Sequence, residues 1–312
     1  MKSSAIAVSG LRKAYGDKVV LDGIDFEVAA GSVFSMLGPN GAGKTTTVNV
    51  LTTLLKADAG TVRVMGHDVA TATKEVRSVI GVTGQFAAVD ELLSGRENLQ
   101  LMADLKRVRS GDQVVTRLLE RFDLVESAAK LASTYSGGMR RKLDLAMTLV
   151  GNPQIIFLDE PTTGLDPRSR RTMWEIVREL VAEGTTIFLT TQYLDEADEL
   201  ADRIVVLSDG RIAAEGSADE LKRLIPGGHV RLRFTDPAAY RAAATALREV
   251  TTDDETLSLQ IPSDGSQREL RVILDWLDSA GIEADELTLH TPDLDDVFLA
   301  LTERTSKEAI AQ

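Results

Sequence analysis

The stretch that decides the fold is Gly38-Pro39-Asn40-Gly41-Ala42-Gly43-Lys44-Thr45-Thr46. It matches the pattern G-x-x-x-x-G-K-[ST], which is typical of a phosphate-binding loop. The apolar run at residues 32–37 is predicted to be a short buried strand, and residues 45–55 are predicted to be a helix with one apolar face. A strand that passes through a glycine-rich turn into a helix directs free backbone N–H groups and the positive end of the helix dipole towards an anion.

Individual residues of this loop suit phosphate binding. Gly41 and Gly43 let the backbone wrap closely around a phosphate because they carry no Cβ. Lys44 supplies a cation for the β- and γ-phosphates, and the Thr45 hydroxyl is placed to ligate Mg²⁺. The alternative is an ordinary glycine-rich turn between a strand and a helix. The complete pattern in this context favours the phosphate-binding loop.

The composition excludes several classes of protein. The chain has 312 residues, of which 43% are hydrophobic and 27% charged, as in a globular protein of one or two domains. A net charge of −13 argues against nucleic-acid binding, and the lack of cysteine excludes disulfides and thiolate metal sites. No apolar run approaches the roughly 18 residues of a membrane helix. With no signal segment in residues 1–8, we expect a cytoplasmic protein that reaches the membrane only through a partner.

A change in charge predicts a domain boundary. Residues 230–312 carry 8 Lys or Arg and 17 Asp or Glu residues, a net charge of −9, which leaves −4 for the rest of the chain. Together with the turn sequence Ile225-Pro226-Gly227-Gly228, this predicts one domain over residues 1–228 and a second over 229–312. The alternative is a loop within one domain. Strand and helix patterns alternate in 230–302 and predict a small α+β layer without a catalytic constellation.

Three acidic residues near the C-terminus, Asp293, Asp295 and Asp296, raise the possibility of a Ca²⁺ site. The segment lacks the glycine and the distal glutamate of a calcium loop. A solvated helix start, where the dipole favours acids, is the better interpretation.

The first domain is predicted to be α/β with a helical insert. Antiparallel strands are expected at 5–11, 18–21 and 24–28, helices over about 86–150, and a closing hairpin at 203–215. In the insert, Ser94 and Glu97 fit a capping box. Ser136-Gly137-Gly138 opens the last helix of the insert and is a possible second anion site. Alternatively, Ser136 is only an N-cap.

Acidic side chains end a second apolar strand, which is predicted over residues 155–160. A strand that is apolar throughout is buried on both faces, and its C-terminal end faces the crevice where α/β proteins bind ligands. Asp159 is placed to hold Mg²⁺ through water, and Glu160 to orient or deprotonate an attacking water. The alternative, two solvated acids at a strand end, is less consistent with a complete phosphate loop.

Two further side chains allow two interpretations each. Gln85 follows the predicted strand 79–83, where it is either a solvated strand end or a ligand of water or metal. Tyr15 precedes the Gly16-Asp17 turn, where it either stacks on a purine or covers the sheet edge.

Over residues 5–225 these motifs, in this order, resemble the ATP-binding subunits of ATP-binding-cassette (ABC) transporters. Gly38–Thr45 resembles the Walker A loop, Gln85 the Q-loop glutamine, Ser136-Gly137-Gly138 the signature, residues 155–160 the Walker B strand and Leu165-Asp166 the D-loop. The resemblance implies a P-loop NTPase cassette with a mixed sheet core, an antiparallel β edge and a helical subdomain. It also implies ATP and Mg²⁺ as cofactors.

The resemblance assigns roles to individual residues. The implied ATP-binding residues are Tyr15, Gly38, Pro39, Asn40, Gly41, Ala42, Gly43, Lys44, Thr45, Thr46, Gln85, Ser136, Gly137, Gly138 and Asp166. The implied metal-binding residues are Thr45, Gln85 and Asp159. The implied catalytic residues are Glu160, Gln192 and Lys44.

The implied partners are a second copy of the chain and a membrane permease. In the family, two subunits dimerise head to tail, and each ATP lies between the Walker A loop of one subunit and the signature of the other. The protein is then expected at the cytoplasmic face of the plasma membrane, without nucleic acid.

Departures from the general family pattern indicate a subgroup. The signature has Tyr135 and Met139 at its flanks, where the general pattern has Leu and Gln, and Gln192 stands where a histidine is expected. Both departures, and the segment 294–302, are similar to the daunorubicin/doxorubicin-resistance ATP-binding proteins. The resemblance implies an ATPase subunit of an exporter of drug- or lipid-like cargo.

Two alternative functions remain at this point. A soluble cassette ATPase of translation or DNA repair usually has two cassettes or a long coiled coil, whereas this chain has one Walker A loop and no sustained heptads. A nucleotide-gated regulatory subunit with little turnover is compatible with Gln192.

Overall fold

The computed structural model describes residues 4–85, 87–224, 228–247, 250–263, 265–290 and 292–300. The chain forms two compact units, Met1–Ala218 and Asp219–Gln312. Residues 225–227, which contributed to the predicted boundary, lie outside the described residues, as do residues 301 and 302 of the C-terminal segment.

The described residues of the first unit form ten strands in two sheets. They are β1 Ser4–Tyr15, β2 Lys18–Ala29, β3 Val33–Leu37, β4 Ala59–Val64, β5 His67–Asp68, β6 Ile80–Thr83, β7 Ile155–Asp159, β8 Thr186–Thr191, β9 Arg203–Ser208 and β10 Arg211–Gly216. One sheet has the order β10-β9-β3-β8-β7-β6 and the other the order β2-β1-β4-β5. Strands β9, β3, β8, β7 and β6 run parallel, and β10 pairs antiparallel with β9. The second sheet is antiparallel throughout. The predicted mixed core with an antiparallel edge is therefore observed.

Seven α-helices belong to the described part of this unit, and an eighth begins at its last residue. They are α1 Lys44–Leu51, α2 Thr73–Val79, α3 Gly95–Leu105, α4 Gly111–Arg121, α5 Gly137–Leu149, α6 Pro167–Ala182, α7 Leu194–Leu200 and α8 Ala218–Lys222. The capping box that opens α3 is present: Ser94 Oγ accepts from Glu97 N–H, and Glu97 Oε2 accepts from Ser94 N–H at 2.7 Å.

Two sequence predictions about this unit are wrong in detail. Residues 18–21 and 24–28 form one strand, β2, because Gly23 takes a φ of 75° and the ladder absorbs the expected turn as a shift of register with β1. Helix α1 ends at Leu51 and not at residue 55. Thr53 has a left-handed φ of 64°, which the helix cannot continue through, and Leu54 is exposed.

The second unit is an α+β layer, as the alternation predicted. Its elements are β11 His229–Arg233, α9 Pro237–Ala246, β12 Thr251–Asp253, β13 Ser258–Pro262, α10 Gln267–Ala280, β14 Glu286–His290 and a helix over residues 294–300. The antiparallel sheet has the order β12-β13-β11-β14. The sequence missed β12, whose three polar residues are all exposed and carry no apolar alternation.

The acidic residues at the end of this unit cap a helix. Asp293 Oδ1 accepts from Asp296 N–H, and Asp296 Oδ2 accepts from Asp293 N–H, each at 3.0 Å. Among the residues described, no group of three or more His, Cys, Asp or Glu side chains is arranged to hold a metal ion. Across the same residues, none of the helices combines the length and apolar character needed to cross a membrane.

Candidate functional site

The phosphate-binding loop lines a cavity of about 320 Å³ in the first unit. Its walls are formed by Tyr15, Lys18, Val20, Asn40, Gly41, Gly43, Lys44, Thr45, Thr46, Gln85 and Glu160. The structure therefore brings together the aromatic residue of β1, the loop between β3 and α1, the glutamine after β6 and the acid after β7. The last three follow parallel strands that end at the same edge of one sheet, whereas Tyr15 comes from the antiparallel sheet.

Glycines are required at two points of the loop. A Cβ on Gly38 would lie 2.4 Å from the carbonyl oxygen of Leu207, so only glycine lets the end of β3 approach β9 this closely. Gly43 has a φ of 113° immediately before α1, a conformation that side chains with a Cβ rarely adopt. The first turn of α1 thus presents free N–H groups to the cavity.

Lys44 lies inside this loop with its charge paired. Its Nζ donates to the carbonyl oxygens of Gly38, at 2.7 Å, and Pro39, at 3.1 Å, and lies 3.5 Å from Glu160 Oε1. Burial lowers the pKa of Lys44, and the negative charge of Glu160 opposes that shift. The loop therefore holds a cation where a phosphate would lie.

A cluster of oxygen atoms lies beside Lys44 at the end of β7. Thr45 Oγ1 donates to Asp159 Oδ1 at 3.4 Å, and Thr190 Oγ1 donates to the same oxygen. Gln85, which is exposed, lines the same cavity. Hydroxyl, carboxylate and amide oxygens are the hard donors that suit Mg²⁺, so this set fits the metal that the sequence predicted.

Glu160 has an unusual backbone conformation. It follows the last residue of β7 with a φ of 48°, which is uncommon outside glycine and is found at active sites. Its N–H donates to the carbonyl oxygen of Thr190 at 3.0 Å, and Thr163 Oγ1 donates to Glu160 Oε2 at 3.3 Å. These contacts aim the carboxylate into the cavity.

Of two further predicted site residues, Tyr15 lines the cavity and Gln192 does not. Tyr15 lines it with a half-exposed ring, and Lys13 Nζ lies 5.7 Å from the ring centroid. An exposed aromatic face at the mouth is suited to stacking on a base. Gln192 directly follows β8 and is half-buried, but it is not among the described residues that line this cavity.

The signature residues lie apart from the cavity that the loop forms. Ser136 caps α5 by accepting from Met139 N–H at 3.2 Å, so the N-cap alternative is observed. Ser136 and Gly138 line a second cavity, of about 470 Å³, together with Arg168 and Ser169. A Cβ on Gly138 would lie 2.6 Å from Ser169 Oγ, which shows how closely α5 approaches α6.

Asp166 of the D-loop segment caps the adjacent helix, α6. One carboxylate oxygen accepts from the N–H groups of Arg168 and Ser169 at 3.0 Å, and the other accepts from Ser169 Oγ at 2.6 Å. The hydroxyl of Ser169 and these N–H groups lower the pKa of Asp166. Since Ser169 also packs against Gly138, Asp166 indirectly fixes the position of the signature.

Sequence reasoning missed a set of buried ionisable residues behind the cavity. Arg141 and Asp144 of α5 form an ion pair at 3.3 Å, and Glu196 of α7 is fully buried and accepts from Trp174 Nε1 at 3.2 Å. Burial lowers the pKa of Arg141 and raises those of Asp144 and Glu196. The sequence did carry a signal for this set, because charged residues occupy positions on the apolar faces of helices, where buried side chains are expected.

Comparison with known proteins agrees with this geometry. The family model described as ABC transporter matches residues 21–163. Daunorubicin resistance ATP-binding protein DrrA3 of Streptomyces coeruleorubidus is 50% identical, over 99% of this chain and 100% of that protein. The chain belongs to the ATP-binding subunits of ABC transporters. Nod factor export ATP-binding protein I of Paraburkholderia xenovorans is 39% identical to this ABC subunit over 99% of the chain and 100% of the relative.

A solved structure supports the same assignment of the cassette. The ADP conformation of an ATP-binding cassette of an ABC transporter aligns with a TM-score of 0.64 and 28% identity, covering 70% of this chain and 93% of that one. The predicted family and α/β cassette fold are confirmed. The ABC subunit is an ATPase, with ATP as its substrate.

Proposed function

We propose that this ABC subunit drives the export of a hydrophobic, drug- or lipid-like molecule through a separate membrane permease. The observation that carries the motor function is the cavity in which Lys44 and Glu160 meet beside the phosphate-binding loop. The export direction is supported by relatives that are named for drug resistance and for Nod factor export and that align over nearly the whole chain. A soluble cassette acting without a transporter does not have this support.

Each residue of the cavity has a separate task in this proposal. The loop N–H groups and Lys44 bind the β- and γ-phosphates, and Tyr15 stacks on the adenine. Thr45, Asp159 and Gln85 would hold Mg²⁺, which supplies positive charge against the phosphate oxygens. Glu160 orients the attacking water and accepts its proton. Gln192 donates a hydrogen bond to the γ-phosphate once the site closes around ATP.

The ATP site is complete only in a head-to-tail homodimer in this proposal. Ser136 and Gly138 line a different cavity from the phosphate-binding loop of their own chain. A second copy would bring its signature, with the free N–H groups at the start of α5, against the γ-phosphate. Asp166, which caps α6 next to the signature, would then lie at the same dimer contact.

In this proposal, binding to the permease determines where in the cell the ABC subunit is found. We place the subunit at the cytoplasmic face of the plasma membrane, where it contacts the bilayer through the permease alone. The net charge of −13 is consistent with a partner other than nucleic acid.

The C-terminal part of the chain is assigned to assembly. We keep the domain proposal of residues 1–228 and 229–312, with the helical subdomain at about 86–150, and assign no chemistry to 229–312. A chain ending after Gly228 should still bind ATP but form fewer dimers in size-exclusion chromatography. Loss of all ATP affinity in a truncated chain that keeps its circular dichroism spectrum would contradict this assignment.

A transport assay tests the function as a whole. The full chain is co-expressed with a membrane permease that co-purifies with it, and inverted vesicles are supplied with ATP and a fluorescent amphipathic cation. ATP-dependent uptake is expected with the wild type and not with a Lys44→Ala control. Equal uptake by both, or ATP hydrolysis without uptake of either this cation or a fluorescent lipid, would contradict export of hydrophobic cargo.

A further inference from the structure

Helix α5 carries a stripe of polar residues on a face where apolar side chains are expected. Arg141, Asp144 and Thr148 are spaced as i, i+3 and i+7, which places them on one side of the helix. All three are buried, and the side chains of Arg141 and Asp144 are only 7% and 3% exposed. Ser136 of the signature is the N-cap of the same helix.

Arg141 binds main-chain oxygens on two different segments of the ATP site. Its Nε donates to the carbonyl oxygen of Pro161 at 2.8 Å, and one terminal nitrogen donates to that of Gly84 at 2.7 Å. The other terminal nitrogen donates to the carbonyl oxygen of Asp159 at 3.4 Å. The guanidinium thus spans the segment that holds Glu160 and the residue that precedes Gln85.

Asp144 completes the arrangement on the other side of Gln85. Its Oδ1 accepts from the N–H of Ala88 at 3.0 Å, and its Oδ2 pairs with Arg141 at 3.3 Å. Gly84 and Ala88, which flank Gln85, are therefore both held by one ion pair on one helix. In contrast, Thr148 Oγ1 forms a hydrogen bond with Thr83 Oγ1 at 3.0 Å. Thr83 is the last residue of β6 and precedes both Gly84 and Ala88, the residues that Arg141 and Asp144 hold.

An ion pair is a costly way to fill a buried position. Removing two charges from water carries a desolvation penalty that apolar residues of similar volume avoid, so packing alone does not account for the pair. The planar guanidinium has five donors in a fixed fork, which apolar groups and lysine lack. Its value here lies in fixing several carbonyl oxygens at once.

We propose that Arg141 and Asp144 are positioning residues that fix Gln85 relative to Asp159 and Glu160. The pair also connects these two segments of the site to α5, the helix that Ser136 of the signature caps. The inference rests on the proposed role of Gln85 at the metal. In the proposed homodimer the signature contacts the ATP of the partner. Movement of α5 on that contact would therefore be passed to the metal and water side chains of its own chain.

The test compares full-length variants for turnover, nucleotide binding and metal dependence. Arg141→Met and Asp144→Asn should lower kcat roughly tenfold or more, because misplacing Gln85 and Glu160 relative to the reacting groups loses the productive geometry. Both should raise the Mg²⁺ concentration that gives half-maximal activity, while affinity for a fluorescent ATP analogue without Mg²⁺ stays within about twofold, because the phosphate-binding loop is untouched. Arg141→Lys should recover only part of kcat, since lysine cannot span the same carbonyl oxygens.

A matched control separates positioning from stability. Thr148→Val removes a buried hydrogen bond on the same helix face but outside the Gln85 segment, so it should lower the melting temperature and leave kcat and the Mg²⁺ dependence unchanged. If Arg141→Met does not fold, the double variant Arg141→Met/Asp144→Leu leaves no unpaired charge and is measured in its place.

The outcomes distinguish this inference from the proposed function. Folded variants with wild-type kcat and wild-type Mg²⁺ dependence would overturn the positioning role. A wild-type chain that binds ATP without hydrolysing it would instead contradict the proposed motor function. In that case the Mg²⁺ dependence of nucleotide binding still tests the pair, and an unchanged dependence in Asp144→Asn would overturn it.

Discussion

Lys44 Nζ lies 3.5 Å from Glu160 Oε1, and the two side chains are only 4% and 9% exposed. The cation of the loop and the proposed base thus share one buried position. Arrival of a γ-phosphate would give Lys44 a stronger anionic partner and free the carboxylate for water. The ion pair satisfies both buried charges, and leaving either of them unpaired would be costly.

Lys44→Ala should abolish most of the ATP affinity, because the phosphates lose their main side-chain cation. Equilibrium binding of a fluorescent ATP analogue should weaken by roughly tenfold or more. Lys74→Ala, on the exposed surface of α2, is the matched control and should bind as the wild type does. Wild-type affinity in Lys44→Ala would show that the loop binds phosphate without this side chain.

Gln192 should contribute one hydrogen bond to the transition state. Loss of such a bond to a charged group costs about 1.5–3 kcal/mol, or roughly ten- to a hundredfold in rate, so Gln192→Ala should slow ATP hydrolysis by that factor. Gln192→His should stay active, because a neutral histidine also donates one hydrogen bond. Only the histidine variant should gain a rate change near a pH of about 6.5.

The measurement is the pH–rate profile of the assembled complex for all three proteins. Gln192 does not line the cavity of the single chain, and in the proposed function its contact with the γ-phosphate forms when the site closes around ATP. Hydrolysis by Gln192→Ala at the wild-type rate would mean that the Gln192 side chain, at the end of β8, takes no part in hydrolysis.

Glu196 should make the stability of the protein fall as the pH rises. Burial raises its pKa above the ordinary 4.5, so the folded state retains a proton that the unfolded state has released. Between pH 4.5 and the folded-state pKa, the free energy of unfolding should fall by about 1.4 kcal/mol per pH unit from this group. Glu196→Gln, which keeps an acceptor for Trp174, should lack this loss.

Urea unfolding at several pH values checks the sign of this effect. The stability gained by Glu196→Gln over the wild type should grow with pH through the window and vanish below it. Glu199→Gln, at a half-exposed position of the same helix, should show no comparable trend. A constant difference between Glu196→Gln and the wild type at every pH would contradict the assignment.

The sequence predicted the parts of the molecule that depend on local chemistry. The loop from Gly38 to Thr46, the capping box at Ser94 and the alternation of strands and helices in the second unit all follow from spacing and residue type, and the structure has them as predicted. The early end of α1 did not follow, because helix propensity does not report the left-handed φ of Thr53, a residue that Arg77 of α2 contacts through two hydrogen bonds.

Contacts between residues far apart in the sequence were also not predictable from the sequence. Arg141 acts on the carbonyl oxygens of Gly84 and Pro161, which are separated from it by 57 and 20 residues. Main-chain oxygens carry no residue-specific signal, so no motif reports such a contact. The same holds for Gly138, whose closeness to Ser169 depends on how two helices pack.

Glu160→Gln tests the central claim, that this cavity hydrolyses ATP with Glu160 as the base. In the complex of the full chain with its permease, the variant should bind ATP with unchanged affinity. Its hydrolysis should be slower by roughly a hundredfold or more, since the amide cannot accept the proton of water. ATP should accumulate in a stable dimer, whereas Glu120→Gln on the exposed face of α4 should turn over normally. Near-normal hydrolysis by Glu160→Gln would contradict the account.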